Sequence, residues 1–149
     1  MTVRTVLEFK YLSGNVELTA APARFLKEIT RVGTHRGSAK RRKPLAITAG
    51  RLGAWARNFV EAGVKVWVLF RGSARGEDRA GWVEDVFVDD AKLYAVMRVT
   101  DGRAAALLRE GEAEDVAVGV ERGFVDGAGR TYDELLRYIA FESDLEAGR

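Results

Sequence analysis

The stretch from Gly81 to Val120 constrains the chain most, because its apolar side chains alternate with a regularity that few folds accommodate. Val83, Val86 and Val88 lead into Asp89-Asp90-Ala91-Lys92, after which Leu93, Ala95, Met97 and Val99 alternate with Tyr94, Val96, Arg98 and Thr100. A period of two sends alternate side chains to opposite faces of an extended strand, so the spacing predicts a β-hairpin. Ala105 to Gly111 (AALLREG) then reads as a short helix, and Asp115 to Glu121 (DVAVGVE) as a further strand.

The flanking segments add strands and one strong helix. Val3 to Leu12 and Val16 to Thr19 are rich in β-branched and aromatic residues around Ser13-Gly14-Asn15, which predicts an opening hairpin within residues 1–19. Ala20 to Ala23 reads as a linker around Pro22. Phe25 to Gly33 leaves a helix turn and a strand both open, since Leu26, Ile29 and Val32 have helical spacing. Leu45 to Ile47 is a short strand. Thr48 can cap a helix carrying Leu52, Trp55, Ala56, Phe59 and Val60 on one stripe, with Gly63 as its left-handed stop. Val64 to Phe70 is apolar on both faces and reads as a central strand, followed by a glycine-containing loop from Arg71 to Arg79. Arg122 to Arg130 is a turn, Tyr132 to Phe141 a returning strand, and residues 142–149 a frayed tail. No internal repeat or long linker divides the 149 residues, so one domain over 1–149 is expected.

Composition narrows the class. Cysteine is absent, which excludes a disulfide framework and thiolate metal sites and fits a reducing cytoplasm. No apolar run approaches the ~20 residues of a membrane span, and Met1-Thr2-Val3-Arg4 lacks a signal-peptide core, so a protein without membrane contact is expected. The total charge of +2 conceals a strong asymmetry. Ile29 to Val60 holds no acidic residue and carries +8, leaving −6 for the rest. Such segregation predicts an electrostatic partner, either anionic or another copy arranged head to tail, and an oligomer is expected on that ground.

Four short motifs carry a resemblance: Gly81-Trp82-Val83, Lys92-Leu93-Tyr94-Ala95, Ala105 to Gly111, and Asp115-Val116-Ala117-Val118-Gly119-Val120-Glu121. Together they resemble the prohead maturation proteases and protease-scaffold proteins of tailed bacteriophages, which share the herpesvirus-assemblin type of fold. The resemblance implies an α+β, mainly β domain: a barrel-like antiparallel sheet with two short helices. It favours a strand before Val32-Gly33-Thr34. It also implies a serine nucleophile in the slot held here by Ala117, and a histidine upstream of Gly81 in the slot held by Arg71 or Gly72. Alanine has no nucleophilic atom. Loss of the nucleophile or base of such a unit costs on the order of a millionfold in turnover, so the expected protein is not an enzyme. An engineered serine-to-alanine change at 117 would not explain the second empty slot; two independent absences favour a natural pseudoenzyme.

Other chemistry is weak. A serine needs a base within hydrogen-bond reach, and the sole histidine, His35, lies far in sequence from both slots. Ser13, Ser38, Ser73 and Ser143 fall in turns, loops or the tail; an active peptidase using Ser73 is the alternative enzyme reading. Asp89-Asp90 and Glu77-Asp78 are ordinary solvated carboxylates, so no metal is expected, and no glycine pattern cradles a phosphate, so no cofactor is expected either. The loop from Thr34 to Lys43 presents Arg36, Lys40, Arg41, Arg42 and Lys43 as candidate binding residues. They could neutralise phosphates in a nucleic-acid-binding module, although no aromatic residue stands among them for base stacking. The favoured expectation is a phage head protein, in the host cytoplasm during assembly and then in the prohead or virion. It would bind the major capsid protein or its own copies as scaffold, cement or decoration; the missing helical extension leans towards a retained component.

Overall fold

The computed structural model describes residues 5–35, 45–72, 76–143 and 145. Along them run β1 (Thr5–Leu12), β2 (Asn15–Ala20), β3 (Ala23–Arg31), β4 (Gly33–His35), β5 (Leu45–Ile47), α1 (Ala49–Ala62), β6 (Trp67–Gly72), β7 (Gly76–Asp89), β8 (Lys92–Val99), α2 (Gly102–Arg109), β9 (Asp115–Val125) and β10 (Thr131–Phe141). The hairpin of β7 and β8 forms as its alternation requires. Its register pairs Asp89 with Lys92 and Val86 with Ala95. Asp90 and Ala91 take positive φ at the turn, the conformation whose twist matches the flanking strands.

The main sheet departs from the barrel-like antiparallel sheet expected, being neither closed nor wholly antiparallel. Eight strands lie in the open order β1-β9-β10-β6-β7-β8-β3-β2, mixed rather than antiparallel because β10 runs parallel to β6. The opening hairpin also fails to form: β1 pairs with β9, and β2 with β3. Ser13-Gly14 is where the chain passes from one edge of the sheet to the other. Side chains rather than a backbone ladder draw those edges together, with the Tyr11 hydroxyl donating to Glu28 and Lys27 Nζ donating to the Ser13 carbonyl at 2.7 Å.

One face of the sheet holds the core, into which Phe9, Phe25, Ile29, Phe70, Leu93, Met97, Val118 and Phe141 point. The helices cover this face. Helix α1 starts where Thr48 Oγ accepts the Arg51 N–H and stops at Gly63, with φ 64°. It buries Leu52 and Trp55, the latter stacked on Phe9. In α2 the Asp101 carboxylate caps the Ala104 N–H, and Ala104, Leu107 and Leu108 are buried. Isolated helices this short are marginal in water, so packing on the sheet is what fixes both.

Glu134 of β10 anchors α1 laterally. Its carboxylate accepts from Trp55 Nε1 at 3.0 Å and Arg51 Nη2 at 2.8 Å, and its carbonyl accepts from Asn58. Glu134→Ala leaves a fully buried indole N–H without an acceptor, a loss of about 2 kcal/mol. Chemical denaturation should show that loss, while Glu134→Gln, which keeps an acceptor for the indole, should recover more than half of it.

Other boundaries shift. β6 begins at Trp67 rather than Val64, although Val66 stays tied to the sheet through its carbonyl and the Val83 N–H. The loop expected from Arg71 to Arg79 is mostly strand, because Arg71 pairs with Glu77 and Leu69 with Arg79. Phe25 to Arg31 is strand throughout. The tail is held at its start: the Glu142 N–H donates to the Asp115 carbonyl, and Leu145 is buried. Of the basic loop, Thr34 and His35 belong to β4; Arg36, Lys40, Arg41, Arg42 and Lys43 lie outside the described residues, as does Ser73.

Candidate functional site

The two slots lie on the face of the sheet opposite the main core. Ala117 on β9 pairs with Ala140 on β10, which pairs with Leu69 on β6; Arg71 follows Leu69 on the same side of that strand. Two strand spacings and two residues of rise separate the Cα atoms of Ala117 and Arg71 by about 12 Å. Directly across from Ala117 stands Leu69. Gly72, the last residue of β6, pairs with Gly76.

Each slot is filled. Ala117 is fully buried in a small apolar cluster with Leu69 and Ala140, against which Trp67 and Tyr138 pack. Next along β9, Gly119 admits the Tyr138 ring so closely that a Cβ at 119 would lie 2.2 Å from it. The Arg71 guanidinium donates to Glu8 at 3.0 Å and Glu142 at 2.8 Å and lies over the Tyr138 ring. Burial opposes its charge, but the hydrogen bonds and charges of those two carboxylates outweigh burial, so its pKa is raised. It is a permanent cation and cannot act as a base. The Tyr138 hydroxyl donates to Glu8; burial, reinforced by Glu8, pushes its pKa up and keeps it protonated.

None of the described serines repairs this arrangement. His35 pairs with Leu45 in the separate two-stranded sheet. Ser13 has a neighbour the sequence reading missed: its Oγ lies 3.1 Å from Lys27 Nζ. Burial lowers the Lys27 pKa to about 8, against the opposing charges of Glu114, Asp115 and Glu28. Yet that ammonium donates to the Ser13 carbonyl, Ser13 Oγ and the Glu114 carbonyl, and Ser13 Oγ donates to the Glu28 carbonyl at 2.6 Å. Three acceptors for three protons describe a structural clamp. The signal in sequence was the period-two set Phe25, Lys27 and Ile29, obscured by the helical spacing of Leu26, Ile29 and Val32. Among the described residues no group of three or more His, Cys, Asp or Glu could hold a metal ion.

Beside the slots the outer face carries a row of residues paired from strand to strand: Arg24, Arg98, Trp82, Trp67, Tyr138, Gly119 and Glu8. Lys65 sits over both tryptophan rings, 5.3 Å from the Trp67 centroid and 4.6 Å from that of Trp82; Arg79 lies over Trp67 at 4.3 Å and Arg98 over Trp82 at 5.5 Å. A hollow of about 310 Å³ borders Trp67, Leu69, Arg79, Glu121, Arg137 and Tyr138. Sequence reasoning missed this row because its members come from seven strands.

A mainly β, two-helix domain with an open mixed sheet fits a prohead-protease-like α+β fold. Among solved structures the chain is similar to the capsid assembly protease gp21 of bacteriophage T4, with a TM-score of 0.51 at 13% identity over 95% of this chain and 96% of that one. This likeness is one of fold. A scan against protein-family models finds no match, and a search of curated proteins finds none either.

Proposed function

We propose that the chain is a non-catalytic head protein of a tailed phage, built on a prohead-protease-like domain, that binds the major capsid protein as a cement, decoration or scaffold component. The observation that carries the reading is the filling of both slots on a fold similar to that of a phage capsid assembly protease: Ala117 is sealed beneath Trp67 and Tyr138, and Arg71 is locked between Glu8 and Glu142. A hydrolase built this way lacks a nucleophile at one position and a titratable base at the other. On this reading selection has kept the domain as a surface.

Mass spectrometry of purified proheads and mature particles tests the assignment. The protein should be present in one or both, and should co-sediment with the major capsid protein; absence from both particles sinks the proposal. Incubated with the capsid precursor, the native protein should produce no cleavage. The variant Ala117→Ser should be equally inert, because the added hydroxyl would lie buried against Leu69, Trp67 and Tyr138 while Arg71 stays paired with Glu8 and Glu142. Specific cleavage by either protein would show that chemistry survives in the fold.

A further inference from the structure

We infer that the outer face centred on Trp67 and Trp82 is a docking site for an extended, carboxylate-bearing segment of a partner protein. Lys65 and Arg79 are exposed and pinned on indole faces, yet neither forms an ion pair among the described residues. Their neighbours on the same face are committed: Arg24 to Glu84, and Arg71 to Glu8 and Glu142. A guanidinium held over an indole by its charge still has N–H donors to offer, a fork that matches a carboxylate in a bidentate pair. Two further donors on this face are buried without an acceptor, Arg137 Nη1 at the hollow and Arg98 Nε beside Trp82. Both arginines already pair with carboxylates of this chain, Arg137 with Glu121 and Arg98 with Glu84, so a ligand's carboxylates fall to Lys65 and Arg79.

The occupant follows from the mixture of charges and from what covers the rings. Glu77 and Glu121 also line the hollow and Glu84 stands near Arg98, so a phosphodiester chain, with a negative charge on every unit, meets repulsion between the cations. The indole faces already carry cations, which removes the stacking platform single-stranded nucleic acid uses. A peptide can space its carboxylates to meet Lys65 and Arg79 and set apolar residues against Trp67 and Leu69. Tryptophan, tyrosine and arginine are also the residue types that dominate protein interfaces. From β7 across to β1 the face spans four strand spacings, about 19 Å, which about six extended residues cover. The inference deepens the proposed function by giving the partner segment its chemistry, and its test is independent of capsid preparations.

The full-length protein is titrated with a synthetic decapeptide of alternating glutamate and leucine, followed by tryptophan fluorescence and calorimetry. The arms are the same peptide with glutamine for glutamate and a ten-nucleotide oligothymidylate. The acidic peptide should shift the emission and bind at least tenfold more tightly than the glutamine peptide and the oligonucleotide. Lys65→Gln and Arg79→Gln, surface changes that leave the core intact, should each weaken it severalfold and together at least tenfold, whereas Arg57→Gln, an exposed cation on α1, should leave it unchanged. Equal binding of the glutamine peptide, tighter binding of the oligonucleotide, no binding at all, or indifference to the double variant would each overturn the inference. Any of those results would remove this face while leaving the co-sedimentation result, which reads the whole protein, as it stands.

Discussion

Gly81→Ala is expected to cost about 3 kcal/mol or more, at the upper end of what overpacking does to a core. The reason is a backbone approach. A Cβ built at Gly81 would lie 1.9 Å from the Arg98 carbonyl oxygen and 2.9 Å from the Val99 Cα, so it meets main chain on the neighbouring strand rather than a side chain that could rotate away. Gly81 sits between Val68 and Val99 in the middle of the sheet, and a register shift follows it on each side, after Val83 on β7 and after Val68 on β6. Relief would require β7 and β8 to separate where they form the floor beneath Trp82. For a domain of this size that loss corresponds to a fall in Tm on the order of 10 °C. Thermal unfolding followed by circular dichroism measures it; an unchanged midpoint would mean that the sheet can open there without cost. Gly119→Ala probes a similar close approach, but against the movable Tyr138 ring, so a smaller loss is expected.

Both glycines belong to the short motifs that carried the resemblance, and both are explained by packing. Gly81 permits two strands to approach, and Gly119 permits an aromatic ring to lie across a strand. The motifs therefore report packing within the fold. The hairpin of β7 and β8 was legible because alternation is a local property, and α1 because Thr48 and Gly63 supply their caps within the chain segment itself. The partnership of β1 was not legible. Ser13-Gly14-Asn15 between two β-rich runs has the local chemistry of a hairpin turn, and only the competition of β9 and β3 for the two halves decides otherwise. The candidate site divides the same way. Ala117 and Arg71 could be placed by motif, but their common face, the two-residue offset that sets Leu69 opposite Ala117, and the tryptophan row all depend on cross-strand register. The charge of the basic segment was visible; five of its cations, Arg36, Lys40, Arg41, Arg42 and Lys43, lie outside the described residues, and the cation-aromatic face came from residues with no distinctive spacing.

Lys27 carries the second large effect, and with it a pH dependence of definite sign. Lys27→Glu is expected to abolish folding, because a buried carboxylate would face the Ser13 and Glu114 carbonyl oxygens in place of the ammonium that donates to both. A buried charge without a partner costs on the order of 3–5 kcal/mol, comparable to the whole stability of many domains. Lys27→Met should fold, since it returns the desolvation cost of the charge while losing the two carbonyls' donor, and these oppose each other. What the methionine variant must lose is a slope. Burial holds the folded-state pKa of Lys27 at about 8, below the ordinary value of 10.5. Between those values the unfolded chain binds more protons than the folded one, so stability rises with pH through that window, and below pH 8 the full cost of the buried charge is present. The rise from this group amounts to roughly 3 kcal/mol when complete. Tyr11 and Tyr138, whose pKa values are raised, favour the opposite trend once the medium nears the ordinary tyrosine range, which sets the upper limit of a clean comparison near pH 10. Urea denaturation at intervals from pH 7 to 10 should therefore show the native protein gaining stability relative to Lys27→Met as pH increases. A constant difference across that range would mean that the ammonium is solvated well enough to keep an ordinary pKa, and that the clamp between the two sheet edges is looser than its three hydrogen bonds imply.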